Sequence, residues 1–227
     1  MERPTNHIIS VAQLAERLSF GFPGGRIPGS EAMAHAAVAM IFRDGSDGAE
    51  VLMVRRAEHP ADPWSGHMAF PGGRVEATDE SYEAAAIRET REEVGIDLPA
   101  CARALGRLSE LQARSRQGLL PLCIHPFVYE LTACASVSLN HEIQETLWIP
   151  LRLFADPACR EAISVPDDPR GGELPACRYQ GRVVWGLSLK MLDDLLAPWR
   201  LSGHAPEKAK PAGECFGEGG DGSVKQV

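Results

Sequence analysis

FPGGRVEATDESYEAAAIRETREEVGI, residues Phe70–Ile96, is the stretch that decides the fold of this 227-residue chain. Its second half predicts a helix from Glu80 to Val94. Ala84-Ala85-Ala86-Ile87 fills the middle of that helix, and Gly95 stands where a left-handed C-cap residue belongs. Thr78 or Asp79 can cap the start, where Asp79 and Glu80 also suit the positive end of the helix dipole. Residues three and four apart share a helix face. Glu89 therefore has Glu92 and Glu93 beside it, about 60° and 40° around the axis at roughly 100° per residue. Three carboxylates leave one turn, and Ala84, Ile87 and Val94 are expected to point the other way, toward a core.

Like charges at this spacing destabilise an isolated helix, so something must offset them. Hard divalent cations with oxygen ligands do so, and Mg²⁺ combines one or two carboxylates with the phosphates of a substrate. The preceding Gly72-Gly73 turn lets backbone come close to a ligand and can present a carbonyl to the same ion. A lone E-x-x-E pattern usually means a solvated acidic face. Here it is accompanied by Arg88, by the Phe-Pro-Gly-Gly turn and by the Gly95 exit at fixed offsets, which favours a metal site.

These residues resemble the Nudix box, G-x5-E-x7-R-E-U-x-E-E-x-G-U, where U is aliphatic. Arg88, Glu89, Glu92, Glu93, Gly95 and Ile96 match in register, and Glu80 stands for the earlier glutamate. Thr90 occupies an aliphatic position, and six residues rather than five separate Gly73 from Glu80. The resemblance implies an α/β fold, a Nudix-type α/β/α sandwich with a mixed β-sheet and a loop–helix–loop catalytic motif. It further implies Glu89, Glu92, Glu93 and the Gly72 carbonyl as ligands of Mg²⁺ or Mn²⁺, and Arg88 as the residue that orients a carboxylate. Gly73, Glu80 and Gly95 would be structural. The implied activity is hydrolysis of a diphosphate bond in a nucleoside diphosphate derivative, with Glu89 or a glutamate from another loop as general base. His141–Glu145 is the candidate for that loop, with Glu142 named first, although Glu142 and Glu145 could each be an ordinary surface acid.

Upstream, Leu52-Met53-Val54-Arg55-Arg56 and then Trp64-Ser65-Gly66-His67-Met68-Ala69-Phe70-Pro71-Gly72-Gly73 are similar to the coenzyme A diphosphatase branch. Asp79 before the glutamate and Trp185-Gly186-Leu187-Ser188 before the last helix resemble the same branch. Ala57 replaces a Ser of its pattern, one residue is inserted before Gly66, and an intervening Arg is absent. Arg55, Arg56 and Arg74 could supply the missing cation, since Arg suits bidentate phosphate contacts. Arg114-Ser115-Arg116, expected in a loop, could do the same. Trp64 and His67 suggest a stacking pair for a base or a pantetheine arm, with Trp64 packing on its own domain as the alternative. Coenzyme A or acyl-CoA is thus the implied substrate. ADP-ribose, nucleotide sugars and dinucleoside polyphosphates are its rivals, and a non-catalytic nucleotide-binding module is the reading of another class.

The rest of the chain fits around this unit. Ser10–Leu18 predicts an amphipathic helix with Val11, Leu14 and Leu18 on one side, followed by a Gly/Pro-rich connector, so that residues 1–30 precede the domain. His35–Phe42 and Val51–Arg55 predict a β-hairpin, because Asp44-Gly45-Ser46-Asp47-Gly48 between them is strong turn chemistry. Further strands are expected at Met68–Phe70, Ala104–Leu108, His125–Leu131 and Arg178–Val184, and a closing helix at Ser188–Leu196. The domain is set at residues 31–201. Residues 202–227, rich in Gly, Lys and Glu and almost without apolar side chains, are expected to be disordered.

A formal charge of −8 repels nucleic acid over most of the surface, so a small-molecule partner is expected. The same balance, with no Lys/Arg run, weighs against an RNA-directed pyrophosphohydrolase. No stretch approaches the roughly 18 apolar residues of a membrane span. Cys101, Cys123, Cys134, Cys159, Cys177 and Cys215 show no C-x-x-C pair, which argues against zinc and disulfides and for a reduced, cytoplasmic setting. The histidines, His35 and His125 among them, are read as structural. The N-terminal helix and the first hairpin could serve a homodimer.

Overall fold

The computed structural model describes residues 9–19, 25–59, 64–115, 118–164 and 172–200. Segment 202–227, expected to be a disordered tail, lies outside them, as do residues 20–24 of the connector, 60–63 of the loop before Trp64, and Arg116. The predicted hairpin forms from β1 (Ala34–Gly45) and β2 (Gly48–Arg56), with Gly45 paired to Gly48 across the turn. Two short strands, β3 (Met68–Ala69) and β4 (Gly72–Arg74), carry the glycine turn against β2 and β1. Then come α2 (Tyr82–Val94), after the N-terminal α1 (Val11–Ser19), and the single turn α3 (Leu98–Cys101).

The strands β5 (Ala102–Arg107), β6 (Leu111–Ser115), β7 (Gly118–Leu131) and β8 (Ile143–Pro150) complete an eight-stranded sheet. Its backbone order is β3-β2-β1-β7-β5, with β8 on β2, β4 on β1 and β6 on β7. β1 and β7 run parallel from Ala34↔Leu122 to Phe42↔Glu130, and the other pairs are antiparallel, so the sheet is mixed. After α4 (Leu151–Ala155), a small antiparallel sheet of β9 (Arg160–Ser164), β10 (Glu173–Tyr179) and β11 (Arg182–Trp185) leads into the closing helix α5 (Gly186–Arg200).

Alternation along β1 divides the core. Ala37, Ala39 and Ile41 face α2 and meet its Ala85, Ala86 and Val94. Met40 and Phe42 face the other way, into a cluster with Val51, Met53, Leu14 of α1 and Leu192 and Leu195 of α5. Helices thus cover both faces of the sheet, which is the α/β/α arrangement expected. Phe42 is fully buried, and a Phe→Ala change at such a site costs about 3–5 kcal/mol. The apolar face of α1, Val11, Leu14 and Leu18, is buried in this chain's own core rather than left for a second copy.

Several local expectations are corrected. The helix begins at Tyr82, not Glu80, and its cap is Ser81, whose hydroxyl accepts the Ala84 N–H at 3.0 Å. Thr78 and Asp79 lie before it. Its fully buried face is Ala85, Ala86, Thr90, Glu93 and Val94, with Ile87 partly buried against the same core and Ala84 outside it. Thr90, the polar residue at an aliphatic position, satisfies its buried hydroxyl on the Ala86 carbonyl one turn back, at 2.7 Å. Arg178–Val184 is not one strand but the β10–β11 hairpin, turning at Gln180-Gly181. Arg114 and Ser115 belong to β6 instead of a loop, and β8 begins at Ile143, inside the His141–Glu145 segment expected as a loop.

Candidate active site

The glycine turn and α2 are placed by one another. Gly72 pairs with Val38 of β1 at a φ of 150°, and a Cβ there would lie 2.3 Å from the Ala37 carbonyl oxygen. A Cβ on Gly73 would lie 2.4 Å from the Glu89 carboxyl carbon. The backbone of the turn therefore rests directly against the carboxylates of the helix, an approach that any side chain would block. At the far end of α2, Gly95 takes the left-handed conformation (φ 72°) and its N–H closes the helix on the Arg91 carbonyl.

Arg88 is the hub that orders these acids. Its guanidinium donates to both Asp79 oxygens at 3.0 Å, to the Arg74 carbonyl at 3.0 Å, to Glu89 at 2.9 Å and to Glu92 at 3.2 Å. The fork geometry makes the Asp79 contact bidentate. Asp79 is held below its ordinary value by this guanidinium, and Arg88 is correspondingly pushed further up by Asp79. The structural carboxylate of the loop is thus Asp79. Glu80, to which the resemblance gave a structural role, is exposed and adjacent to it. Five residues separate Gly73 from Asp79, so the loop has the usual length with an aspartate at its end.

Glu93 is 2% exposed. It accepts the Gly72 N–H at 2.9 Å and has the Arg56 guanidinium 4.0 Å away. Burial pushes its carboxyl up to about 7, with Glu89 and Glu142 adding repulsion. Glu89 is also raised by burial, against the pull of Arg88. Glu92 stays half open to solvent at 55%. One guanidinium and a more distant second one face at least three carboxylates, so the cluster is short of positive charge. Its donors are hard oxygens, and the Gly73 backbone leaves its front free of side chain. This is the donor set a Mg²⁺- or Mn²⁺-type ion takes.

A single cleft of about 1590 Å³ joins most of the predicted residues: Arg56, Trp64, Gly72, Gly73, Arg74, Arg88, Glu89, Glu92, Glu93 and Glu142 all line it. Glu142 is exposed at the turn before β8, its N–H on the Asn140 side chain at 2.9 Å and its carbonyl accepting from Ala57. Arg55 is not among the lining residues, a correction. Adjacent strand residues point to opposite sides, and Arg55 turns to Glu58 (3.5 Å) and Glu145 (3.8 Å). Glu145 is itself clamped by Arg182 at 2.8 and 2.6 Å and is not among the lining residues.

Trp64 lines the cleft while packing against Ala36, Ala113 and Leu122. His67 also lines it, and its ring meets Trp185 edge-on at 4.8 Å. Sequence reasoning marked Trp185 and Leu187 only by their resemblance and missed Leu174 and Pro175, which join them in an apolar wall from the small sheet and the start of α5. Ser188 ties that helix to β3 through the Met68 carbonyl at 3.0 Å. It also missed Gln112 and Lys190 in the lining, while Arg114 reaches it from β6. Nothing local marks Gln112, Leu174, Pro175 and Lys190, because tertiary pairing brings them to the cleft.

Residues 33–163, more than half of the chain, match the NUDIX domain. An uncharacterized protein of Schizosaccharomyces pombe is 40% identical over 118 residues, 51% of this chain and 36% of its own length. A probable nudix hydrolase of the same yeast is 32% identical over 130 residues, 57% of this chain and 44% of that protein. The chain therefore spans less than half the length of these two relatives. An uncharacterized Nudix hydrolase of Yersinia pestis, NudL, is 26% identical over 151 residues, 64% of this chain and 70% of its own. A solved MutT/nudix family protein from Enterococcus faecalis superposes with a TM-score of 0.50 at 18% identity, covering 82% of this chain and 68% of that one, a likeness of fold alone. The matched interval runs from the start of β1 into β9 and holds the glycine turn, Arg88 and all three box glutamates. The chain belongs to the NUDIX domain family.

Proposed function

We propose that the protein hydrolyses a diphosphate bond in an extended nucleoside diphosphate derivative, with coenzyme A or acyl-CoA the first candidate and 3′,5′-ADP and (acyl)phosphopantetheine the products. The observation that carries the reading is the carboxylate face of α2, pressed against the Gly72-Gly73 backbone and opening into a cleft. Glu89, Glu92, Glu93 and the Gly72 carbonyl are the residues that would hold Mg²⁺ or Mn²⁺. Such an ion neutralises diphosphate oxygens and lowers the pKa of a water. Arg88 keeps Glu89 and Glu92 in register by bonding both from one nitrogen. Glu142, exposed at the cleft and without the guanidinium clamp of Glu89, takes the proton from the attacking water as general base. Arg56 and Arg74 meet the phosphates, in place of the cation that the upstream segment lacks.

Cleft size and wall chemistry support the long substrate. About 1590 Å³ exceeds the roughly 300–1,000 Å³ of ordinary small-ligand pockets, and the wall that Leu174, Pro175, Trp185 and Leu187 form beyond the carboxylates is apolar. A diphosphate with a nucleotide on one side and a flexible, mostly uncharged arm on the other suits that division. The test is product release from coenzyme A, ADP-ribose, a nucleotide sugar and a diadenosine polyphosphate with Mg²⁺ present. Coenzyme A turned over well above the rest is the expected result. Preference for another diphosphate removes the coenzyme A reading and keeps the chemistry, and no turnover of any of them removes both.

A further inference from the structure

On the α2 side of the sheet, a cluster of donors lies outside the carboxylate site. His35 of β1 and Cys123 and His125 of β7 stand on one face of the parallel strand pair, where His35↔Cys123 and Ala37↔His125 are partners. One ligand-type atom from each lies within 4.8 Å of the others. His35 Nδ1 and His125 Nε2 are 3.0 Å apart. Cys123 and His125 are buried, and Tyr82, the first residue of α2, covers the cluster. Its ring stacks on His125 at 3.9 Å and on His35 at 4.6 Å between centroids.

The outward nitrogen of each imidazole lies near an oxygen. His35 Nε2 faces the Tyr82 hydroxyl at 3.3 Å, and His125 Nδ1 faces Glu110 at 3.8 Å. Glu110 is itself anchored, accepting the Ile27 N–H at 2.9 Å. A carboxylate or hydroxyl on the far nitrogen is how metal-binding histidines are oriented and made more basic. The inward nitrogens hydrogen-bond each other. The Cys123 thiol, close to both, is hydrogen-bonded to Glu110 and pushed up to about 12 by burial and that carboxylate, so an ion would have to displace both protons. Around a tetrahedral ion with metal–nitrogen bonds of about 2.0–2.1 Å and metal–sulfur bonds of about 2.3 Å, donors sit roughly 3.3–3.7 Å apart. The cluster reaches that geometry with shifts of about 1 Å. One thiolate and the nearby Glu110 carboxylate would balance a doubly charged ion, so the buried assembly carries little net charge.

We propose that His35, Cys123 and His125 form a second metal site, selective for a zinc-class ion, with Glu110 and Tyr82 orienting the two imidazoles and a water filling the fourth position. Thiolate and imidazole exclude Mg²⁺ and favour zinc, whereas the carboxylate cluster favours the reverse. With a water in its fourth position the site is open rather than a closed structural one, and its ion would act on the fold by bracing it. The His35 carbonyl accepts the Val75 N–H at 2.9 Å, and the next residues of β1 pair with Arg74 and Gly72. A metal joining β1 to β7 therefore braces the strand on which the glycine turn rests, beneath the start of α2.

Cobalt(II) is the probe, titrated into the full chain with excess Mg²⁺ present. The expected result is one equivalent giving a thiolate-to-cobalt charge-transfer band that stoichiometric Zn²⁺ removes. Cys123→Ser should lose the band, and Glu93→Gln should keep it. No band in the unaltered protein overturns the proposal, whatever the variants do. A band that survives in Cys123→Ser assigns the metal to another cysteine, and one that disappears in Glu93→Gln assigns it to the carboxylate site; either result also overturns it.

Discussion

Gly73→Ala separates the chemistry of the site from its stability. The new Cβ would lie 2.4 Å from the Glu89 carboxyl carbon and 2.5 and 2.7 Å from its oxygens, while ordinary contact begins at about 3.4 Å. The neighbour that must give is the end of a flexible side chain, so the backbone can stay where it is. Glu89 must retreat by about 1 Å, against the 2.9 Å bond that holds it to Arg88. A displacement of that size at a reacting centre costs on the order of 10²-fold in rate, or about 2.7 kcal/mol of barrier. The assay is kcat/KM under saturating Mg²⁺ beside a urea or thermal unfolding curve. The expected outcome is a loss near 10²-fold with stability within about 1 kcal/mol of the unaltered protein. Gly72→Ala is the control. Its Cβ would meet backbone, 2.3 Å from the Ala37 oxygen and 2.6 Å from the Val38 Cα, at a φ of 150° that an alanine rarely adopts. That variant should lose stability as well as activity. Full turnover in Gly73→Ala would show that Glu89 does not act from this position.

Further outcomes follow from the charges. Asp79→Ala should cost about 2 kcal/mol in a denaturant series by removing a bidentate partner from Arg88, whereas Glu80→Gln should fall within about 0.5 kcal/mol of the unaltered protein. Glu93 carries a folded pKa of about 7 against an ordinary 4.5, so the folded state binds the extra proton. Metal-free stability is then highest below pH 4.5 as far as this group is concerned, and falls as pH rises to about 7, by at most roughly 3 kcal/mol. The difference between the unaltered protein and Glu93→Gln, measured in chelator at pH 5 and 7.5, should show that slope, and added Mg²⁺ should reduce it. Glu142→Gln should lower kcat by 10²-fold or more, of the order expected for a lost general base, with KM little changed. An unchanged kcat returns the role to Glu89.

What could be read from the sequence was local. The β1–β2 hairpin announces itself through Asp47-Gly48 between apolar runs, and α2 through its alanines and Gly95. Arg88 and the box glutamates keep their spacing wherever the helix starts. Elements whose signal is tertiary were not legible. β8 holds Gln144, Glu145 and Thr146 in succession, and its Glu145 is satisfied by Arg182 from another sheet. The first half of β7 contains Pro121, which reads against a strand, and the register against β6 breaks between Gln112 and Arg114 opposite it. The β10–β11 turn puts Gln180, not Asn or Gly, at a φ of 47°, so no turn residue marks its start. Asp79 and Glu80 are neighbouring acids, and only the position of Arg88 in space decides which one it holds. A helical wheel also misplaces the core face. It ranks Glu93 as polar and therefore exposed, whereas the Gly72 amide and Arg56 accommodate it at 2% exposure.

The central claim is that the α2 carboxylates perform metal-dependent diphosphate hydrolysis. Its most direct test is steady-state turnover of Glu93→Gln at saturating Mg²⁺, on the best diphosphate substrate found, with unfolding measured in parallel. The amide keeps an oxygen for the Gly72 N–H but removes the charge. The expected result is loss of turnover by at least about 10²-fold in a protein that still unfolds cooperatively at close to the unaltered midpoint. Turnover near that of the unaltered protein would contradict the assignment of Glu93 to the metal site, and with it the account of the cleft.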